Sequence, residues 1–156
     1  MQGLGTCLWF DGQAEEAMNF YVSVFKDSKV LGVSYYGETG PLPAGTVLTA
    51  SFEINGMRFT ALNGGPQYHF TPAISFIVPC ETQEEVDYYW EKLTEGGIEM
   101  PCAWLSDKYG VSWQIVPNAL MRLMSDPDKE KAGRVMAAMF QMKKIDIAAL
   151  EAAYRG

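Results

Sequence analysis

Polar side chains capable of chemistry fall on predicted β-strands in both halves of the sequence. Glu53 and Arg58 flank the dipeptide Asn55-Gly56, and Gln114 lies in the strand after the turn 107–110. A carboxylate on a partly dry sheet surface can act as a general base, and an amide can orient a ligand. A solvated cross-strand ion pair is the commoner role of such a Glu-Arg pair, and an amide bonded across a sheet explains Gln114 as well as a ligand contact does.

The histidine and the cysteines limit the remaining chemistries. His69, the only histidine, lies in the segment GGPQYHF, where a Ser-His-Asp arrangement is hard to assemble, so we treat His69 and Glu53 as weak catalytic candidates. The three cysteines are odd in number and form no CxxC pair, which favours reduced thiols in a cytoplasmic protein.

Composition excludes several classes of partner. The chain of 156 residues is 48% hydrophobic, so it can bury a core, and its net charge of -7 disfavours a nucleic-acid groove and an anionic membrane surface. No apolar run approaches the roughly 20 residues of a membrane span. Residues 1–10 lack a positive region, and we expect no signal peptide.

The chain contains an internal duplication. A short apolar strand at 5–10 precedes an amphipathic helix for which Asp11 is the predicted N-cap. A second strand, at 73–78 and ended by Pro79, precedes a helix with a Thr82-Glu85 capping box. The acidic and aromatic pairs of the two helices recur about 69 residues apart, which indicates two copies of one unit.

A hairpin follows the first helix. The Asn55-Gly56 dipeptide favours a type I′ turn between strands 46–54 and 57–62, which sets Phe52 opposite Phe59 and Glu53 opposite Arg58. One face of the hairpin is then apolar. The other face is polar, which fits either solvent exposure or the floor of a pocket; it carries Thr49, Ser51, Glu53, Arg58 and Thr60.

The second half predicts shorter strands and then helices. Strands are expected at 98–103, 104–105 and 111–116, and two longer helices begin near Asp128 and Asp146. Five methionines between 121 and 142 favour packing, against this chain or against a partner.

The order strand, helix, three strands, twice over, resembles the vicinal oxygen chelate superfamily of glyoxalases, bleomycin-resistance proteins and extradiol dioxygenases. The sequence is most similar to the PhnB-like family, often named 3-demethylubiquinone-9 3-methyltransferase. Five stretches between Leu8 and Tyr154 carry the resemblance: LWFDGQAEEAMNFYVSVF, ALNGGPQYHFTPAISF, QEEVDYYWEKL, CAWLSDKYGVSWQIVP and MKKIDIAALEAAY. One departure is Ala103, where the family pattern usually has glycine.

The resemblance implies an α+β fold of tandem βαβββ modules forming a curved mixed sheet with helices outside, plus C-terminal helices. It implies one glyoxalase-like domain at 1–156, with modules at 1–66 and 67–117 and a helical extension at 118–156. It also implies a sheet-lined cup for a small molecule and assembly as a homodimer.

The ligand positions of metal-using relatives map onto Thr6, Thr60 or Leu62, Ala73 and Gln114. Only Gln114 could bind a divalent ion, and weakly, so we expect no metal and no cofactor. The ligand-binding candidates are Thr6, Phe10, Ser51, Glu53, Arg58, Thr60 and Gln114. Phe10, Phe76 and Trp104 are candidates for stacking on a flat ligand, although core packing is the commoner use of aromatic residues.

Three functions are compatible with the sequence. The first is metal-free binding of a small organic molecule. The second is an enzyme acting on a small aromatic or quinone-like substrate. The third is the methyltransferase activity that the family name suggests. The sequence disfavours it, because no glycine-rich turn for binding a cofactor follows the first strand.

Overall fold

The computed structural model describes residues 3–156, which form two compact units, the first ending at Phe70 and the second running from Thr71 to Gly156. In the first unit the sheet order is β1-β4-β3-β2, with β1 parallel to β4 and the other pairs antiparallel. Its elements are β1 (Thr6–Phe10), α1 (Ala14–Val24), β2 (Ser28–Tyr35), β3 (Val47–Ile54) and β4 (Met57–Asn63).

The second unit repeats this plan and adds three helices. Its sheet order is β5-β8-β7-β6, with the same parallel and antiparallel pairings. Its elements are β5 (Ser75–Cys80), α2 (Gln83–Thr94), β6 (Ile98–Glu99), β7 (Trp104–Ser106), β8 (Ser112–Pro117), α3 (Asn118–Met124), α4 (Lys129–Met139) and α5 (Ile147–Arg155).

The predicted duplication and the α+β class are confirmed. Thr6 and Ser75, which begin β1 and β5, are 69 residues apart, and the first residues of α1 and α2 have the same separation. The predicted module boundaries at 66/67 and 117/118 stay predictions.

The core of the first unit lies between α1 and one face of its sheet. Phe52 is fully buried, and its ring stacks on Phe59 at 5.1 Å and on Tyr21 at 5.9 Å. Truncating a buried phenylalanine of this kind to alanine costs about 3–5 kcal/mol.

The hairpin has the predicted register. Asn55 and Gly56 both have positive φ, at 47° and 78°, as a type I′ turn requires. Phe52 is paired with Phe59, and Glu53 with Arg58.

The predicted N-cap of α1 is wrong. The helix begins after Gln13, whose side chain makes no capping hydrogen bond, and Asp11 lies outside the cap. The Ala14 N–H instead donates to Asn63 Oδ1 at 2.9 Å. An amide from the end of β4 therefore satisfies the helix terminus, a tertiary contact that the local sequence does not reveal.

The predicted end of β5 is also wrong, because the strand continues through Pro79 to Cys80. A proline is tolerated there because β5 is an edge strand that pairs only with β8, so its missing N–H breaks no second ladder. The predicted Thr82 cap of α2 is confirmed, because the Glu85 N–H donates to Thr82 Oγ1. The reciprocal half of the predicted capping box differs, because Glu85 Oε2 accepts the N–H of Glu81, the residue before the cap.

The C-terminal helices enclose a second hydrophobic cluster. Three methionines, Met124, Met139 and Met142, pack against it, whereas Met121 and Met136 are exposed. The buried members of the cluster are Ala103, Leu120, Leu123, Val135, Ile145 and Leu150.

Two backbone hydrogen bonds join the segment before β7 to the segment before α5. The N–H groups of Cys102 and Ala103 donate to the carbonyls of Met142 and Lys143, both at 2.9 Å. Cys102 and Ala103 have φ values of 60° and 74°, in the left-handed region that favours glycine. A glycine at position 103, which the resemblance implies, would adopt this conformation without strain.

Among residues 3–156, no helix combines the length and the apolar character needed to cross a bilayer.

Candidate functional site

The candidate site lies on the far face of the first sheet, which we define as the face turned away from α1. Strand pairing arranges its side chains in three rows about 7 Å apart. The charged row is Lys29, Glu53 and Arg58. The middle row is Gly32, Ser51, Thr60 and Cys7. The outer row is Ser34, Thr49, Leu62 and Trp9.

Glu53 is shared by two cations in the charged row. Lys29 Nζ lies 3.2 Å from Glu53 Oε1, and Arg58 Nε lies 3.9 Å from Oε2. The side chains of Lys29 and Arg58 are 64% and 69% exposed, whereas that of Glu53 is 21% exposed. The carboxylate therefore holds the two cations at the edge of the far face.

The middle row contains only small side chains. Gly32 has none, Ser51 and Thr60 offer half-buried hydroxyls, and Cys7 is an exposed free thiol. Neither hydroxyl bonds to another side chain or carbonyl within residues 3–156. We call this low row, between the charged row and the outer row, the trough.

The outer row is fixed by neighbouring groups. Ser34 Oγ and Thr49 Oγ1 are hydrogen-bonded to each other at 2.6 Å. Trp9 Nε1 donates to the Gly65 carbonyl at 2.8 Å, and its ring contacts Tyr68 edge to face at 5.0 Å. These contacts restrict the orientation of the indole ring.

Gly64 is required by the position of Trp9. A Cβ at Gly64 would lie 2.2 Å from an indole carbon, too close for any side chain. The Asn63-Gly64-Gly65 sequence therefore combines a cap for α1, space for the indole and a carbonyl for its N–H. Trp9 is a site residue that the sequence-based predictions do not include, and the Gly64-Gly65 pair is the signal in the sequence that could have indicated it.

Four of the predicted binding residues come together on the far face: Ser51, Glu53, Arg58 and Thr60. Thr6 and Phe10 do not join them. Their partners on β4 are Phe59 and Asn63, which belong to the face covered by α1, and Phe10 is 3% exposed and contacts Phe70. The two residues are therefore separated from the trough by the sheet.

His69 is an exposed residue in the connection after β4. Its imidazole has no hydrogen-bond or ion-pair partner in the part of the chain that the structure describes. The imidazole belongs to none of the three rows, so the strand pairing does not place it with Glu53.

Gln114 belongs to the second unit. It is paired with Ile77 and Trp104, and its Nε2 donates to Ser75 Oγ at 2.9 Å. Of the other aromatic candidates, Phe76 packs on the buried Trp113 at 5.2 Å, whereas Trp104 is half-buried beside Gln114.

The donor set does not fit a metal. Within residues 3–156, no group of three or more His, Cys, Asp or Glu side chains could hold an ion. Gln114 has a serine hydroxyl as its polar neighbour, and the module-one positions offer Thr60 or Leu62. Divalent metal sites of this type use three or four charged or imidazole donors.

Tandem βαβββ units with mixed four-stranded sheets define the glyoxalase/bleomycin-resistance fold. A Pseudomonas aeruginosa protein, PA1353, is 18% identical with a TM-score of 0.61, over 75% of this chain and 98% of its own. The fosfomycin resistance protein FosX from Mesorhizobium loti is 14% identical with a TM-score of 0.50, over 73% of this chain and 90% of its own.

The chain belongs to the 3-demethylubiquinone-9 3-methyltransferase family, whose model matches residues 2–116. A Bacillus cereus PhnB protein of this description is 44% identical with a TM-score of 0.67, over 74% of this chain and 99% of its own. No curated protein matched the chain. The family match ends before α3, so the stretch MKKIDIAALEAAY lies outside it.

Proposed function

We propose that this protein binds a small organic molecule in the trough, without a metal ion. The observation that carries the proposal is the low middle row, where the hydroxyls of Ser51 and Thr60 lack partners among the described residues. A few unsatisfied polar groups beside apolar side chains are typical of small-molecule sites. Leu62 and Trp9 supply the apolar side of this arrangement.

A fragment screen by ligand-observed NMR tests this proposal. Ser51→Phe fills the trough, and Ser125→Phe makes the same change at an exposed serine after α3. We expect fragment binding to be lost in the first variant and kept in the second. Fragments that bind both variants equally would place the binding surface elsewhere and contradict the proposal.

The description of the family favours a second candidate, a methyltransferase acting on a small aromatic or quinone-like substrate. Isothermal titration with S-adenosylmethionine tests it, and heat of binding at one site per chain would support it. Glu53 and His69 are the proposed bases of such an enzyme. Turnover that is lost in Glu53→Gln but kept in His69→Gln would assign the base to Glu53.

We also propose that the protein is a cytoplasmic homodimer. Exposed apolar side chains on the C-terminal helices, Met121, Met136 and Phe140, support an interface. Light scattering of the wild type and of Met136→Glu tests the assembly, and a wild-type mass of one chain would contradict it. The three free cysteines fit a reducing compartment.

A further inference from the structure

We propose that the trough selects an elongated organic anion, with a carboxylate at the charged row and a planar ring at the outer row. This inference rests on the proposed ligand-binding function and adds the chemical class of the ligand.

The charged row provides the anion site. Lys29 and Arg58 carry two positive charges against the single carboxylate of Glu53, so the row is net positive in a chain of net charge -7. Arg58 Nε lies 3.9 Å from Glu53 Oε2, beyond hydrogen-bond distance, and the guanidinium donates no side-chain hydrogen bond within residues 3–156. A guanidinium with free N–H groups binds a carboxylate in bidentate geometry.

The middle row gives the ligand room and hydrogen-bonding partners. Its side chains are the smallest of the three rows, so a molecule can lie across them without displacing a side chain. The Ser51 and Thr60 hydroxyls can each donate and accept a hydrogen bond, so they can bind either a donor or an acceptor group at the centre of the ligand.

The outer row provides a rigid apolar wall. The indole of Trp9 donates to the Gly65 carbonyl and lies close against Gly64. Because the indole is already fixed, a ligand ring that packs on it loses little binding energy to immobilising this side chain. Leu62 lies beside Trp9, and Tyr68, 68% exposed, stands at its edge. Arg58 and Leu62 are four residues apart on β4, about 13 Å, which suits a biaryl acid.

Biphenyl-4-carboxylate and biphenyl-4-carboxamide test the proposal, because they share a shape and differ in charge. Affinity is measured by isothermal titration, and location by protection of the exposed Cys7 thiol from N-ethylmaleimide. We expect the carboxylate to bind about tenfold or more tightly than the amide and to protect Cys7, as charge-assisted hydrogen bonds imply.

Two arginine variants provide a matched comparison. Arg58→Gln should abolish the preference for the carboxylate, whereas Arg122→Gln, an identical change at an exposed residue of α3, should keep it. Leu62→Ser should weaken both probes. Circular dichroism melting curves confirm that each variant is folded.

Equal affinity for the two probes, or equal behaviour of the two arginine variants, would overturn the anion selectivity and leave the proposed ligand-binding function standing. Failure of both probes to protect Cys7 at millimolar concentration would overturn the ligand class. The fragment screen with Ser51→Phe decides the proposed function independently of these results.

Discussion

Asp107 shows how a single residue shapes the turn before β8. It is 3% exposed, and its Oδ1 accepts the backbone N–H groups of Tyr109 and Val111 at 2.9 and 3.0 Å. Its Oδ2 accepts the Trp113 indole N–H at 2.8 Å. The motif SDKYGVSW therefore orients the start of β8, the strand that carries Gln114, rather than performing chemistry.

We expect Asp107→Asn to destabilise the protein by about 1–3 kcal/mol, because an amide NH₂ cannot accept the buried indole N–H. Urea unfolding measures the change. Asp11→Asn, the same substitution at an exposed residue, should change the free energy of unfolding by less than about 0.5 kcal/mol. Equal effects of the two substitutions would show that the Asp107 contacts do not stabilise the turn.

The cysteines should differ in reactivity. Burial, assisted by the Glu85 carboxylate, raises the pKa of the Cys80 thiol to about 12, whereas Cys7 is exposed. At pH 8 we expect N-ethylmaleimide to modify Cys7 rapidly and Cys80 only after unfolding in urea, because the thiolate is the nucleophile. Peptide mass spectrometry measures both rates, and similar rates in the folded protein would contradict the burial of Cys80.

The raised pKa of Cys80 also has a consequence for stability. The folded state disfavours the thiolate. Keeping Cys80 as the neutral thiol therefore contributes fully to the free energy of unfolding at pH values below the ordinary thiol pKa near 9. This contribution is lost as the pH rises from there toward about 12.

At the scale of elements, Gln83 fastens α2 to the start of α5. Its Nε2 donates to the Ile145 carbonyl at 3.0 Å, and its Oε1 accepts the Ile147 N–H at 2.8 Å. Asp87, one turn later, binds Lys144 Nζ at 2.7 Å. The C-terminal helices therefore dock through side chains of α2 as well as through the hydrophobic cluster.

Hydrogen bonds from Lys144 and Gln83 lower the pKa of Asp87 below its ordinary value. The folded state therefore favours the ionised carboxylate, which stabilises the protein at neutral pH. This stabilisation is lost as the pH falls through the lowered pKa and the carboxylate is protonated. We expect Asp87→Asn to cost at most about 1 kcal/mol at pH 7, because the pair is half-exposed, and less at pH 2.

Urea unfolding at the two pH values measures this difference. Glu91→Gln, at an exposed residue of α2 outside this contact, is the charge-matched control. A cost of Asp87→Asn that is the same at both pH values would show that the ion pair is not its source.

At the scale of the whole molecule, the absence of a donor cluster in residues 3–156 predicts metal independence. We expect purified protein to contain only substoichiometric divalent metal and to keep its melting temperature in EDTA, because metal binding would otherwise contribute folding energy. Elemental analysis and thermal denaturation measure both quantities. Stoichiometric metal, or a lower melting temperature in EDTA, would contradict the prediction.

Much of the fold, and the part of the far face that the β3–β4 hairpin supplies, could be predicted from local patterns. The Asn55-Gly56 turn fixed the register of β3 against β4, so Glu53, Arg58, Ser51 and Thr60 were placed correctly on one face. The sequence did not indicate which side chains of β1 lie on which face of the sheet, because no turn connects β1 to its partner β4. Thr6 and Phe10 were therefore grouped with residues that lie on the opposite face.

The sequence by itself determined the duplication, the two amphipathic helices and the polar face of the hairpin, because periodicity and turn chemistry act over short separations. Tertiary structure alone decided that Trp9 and Cys7 complete the rows and that Asn63 caps α1. These contacts join residues about 50 positions apart through the parallel pairing of β1 with β4, and no local pattern encodes the register of such a pair.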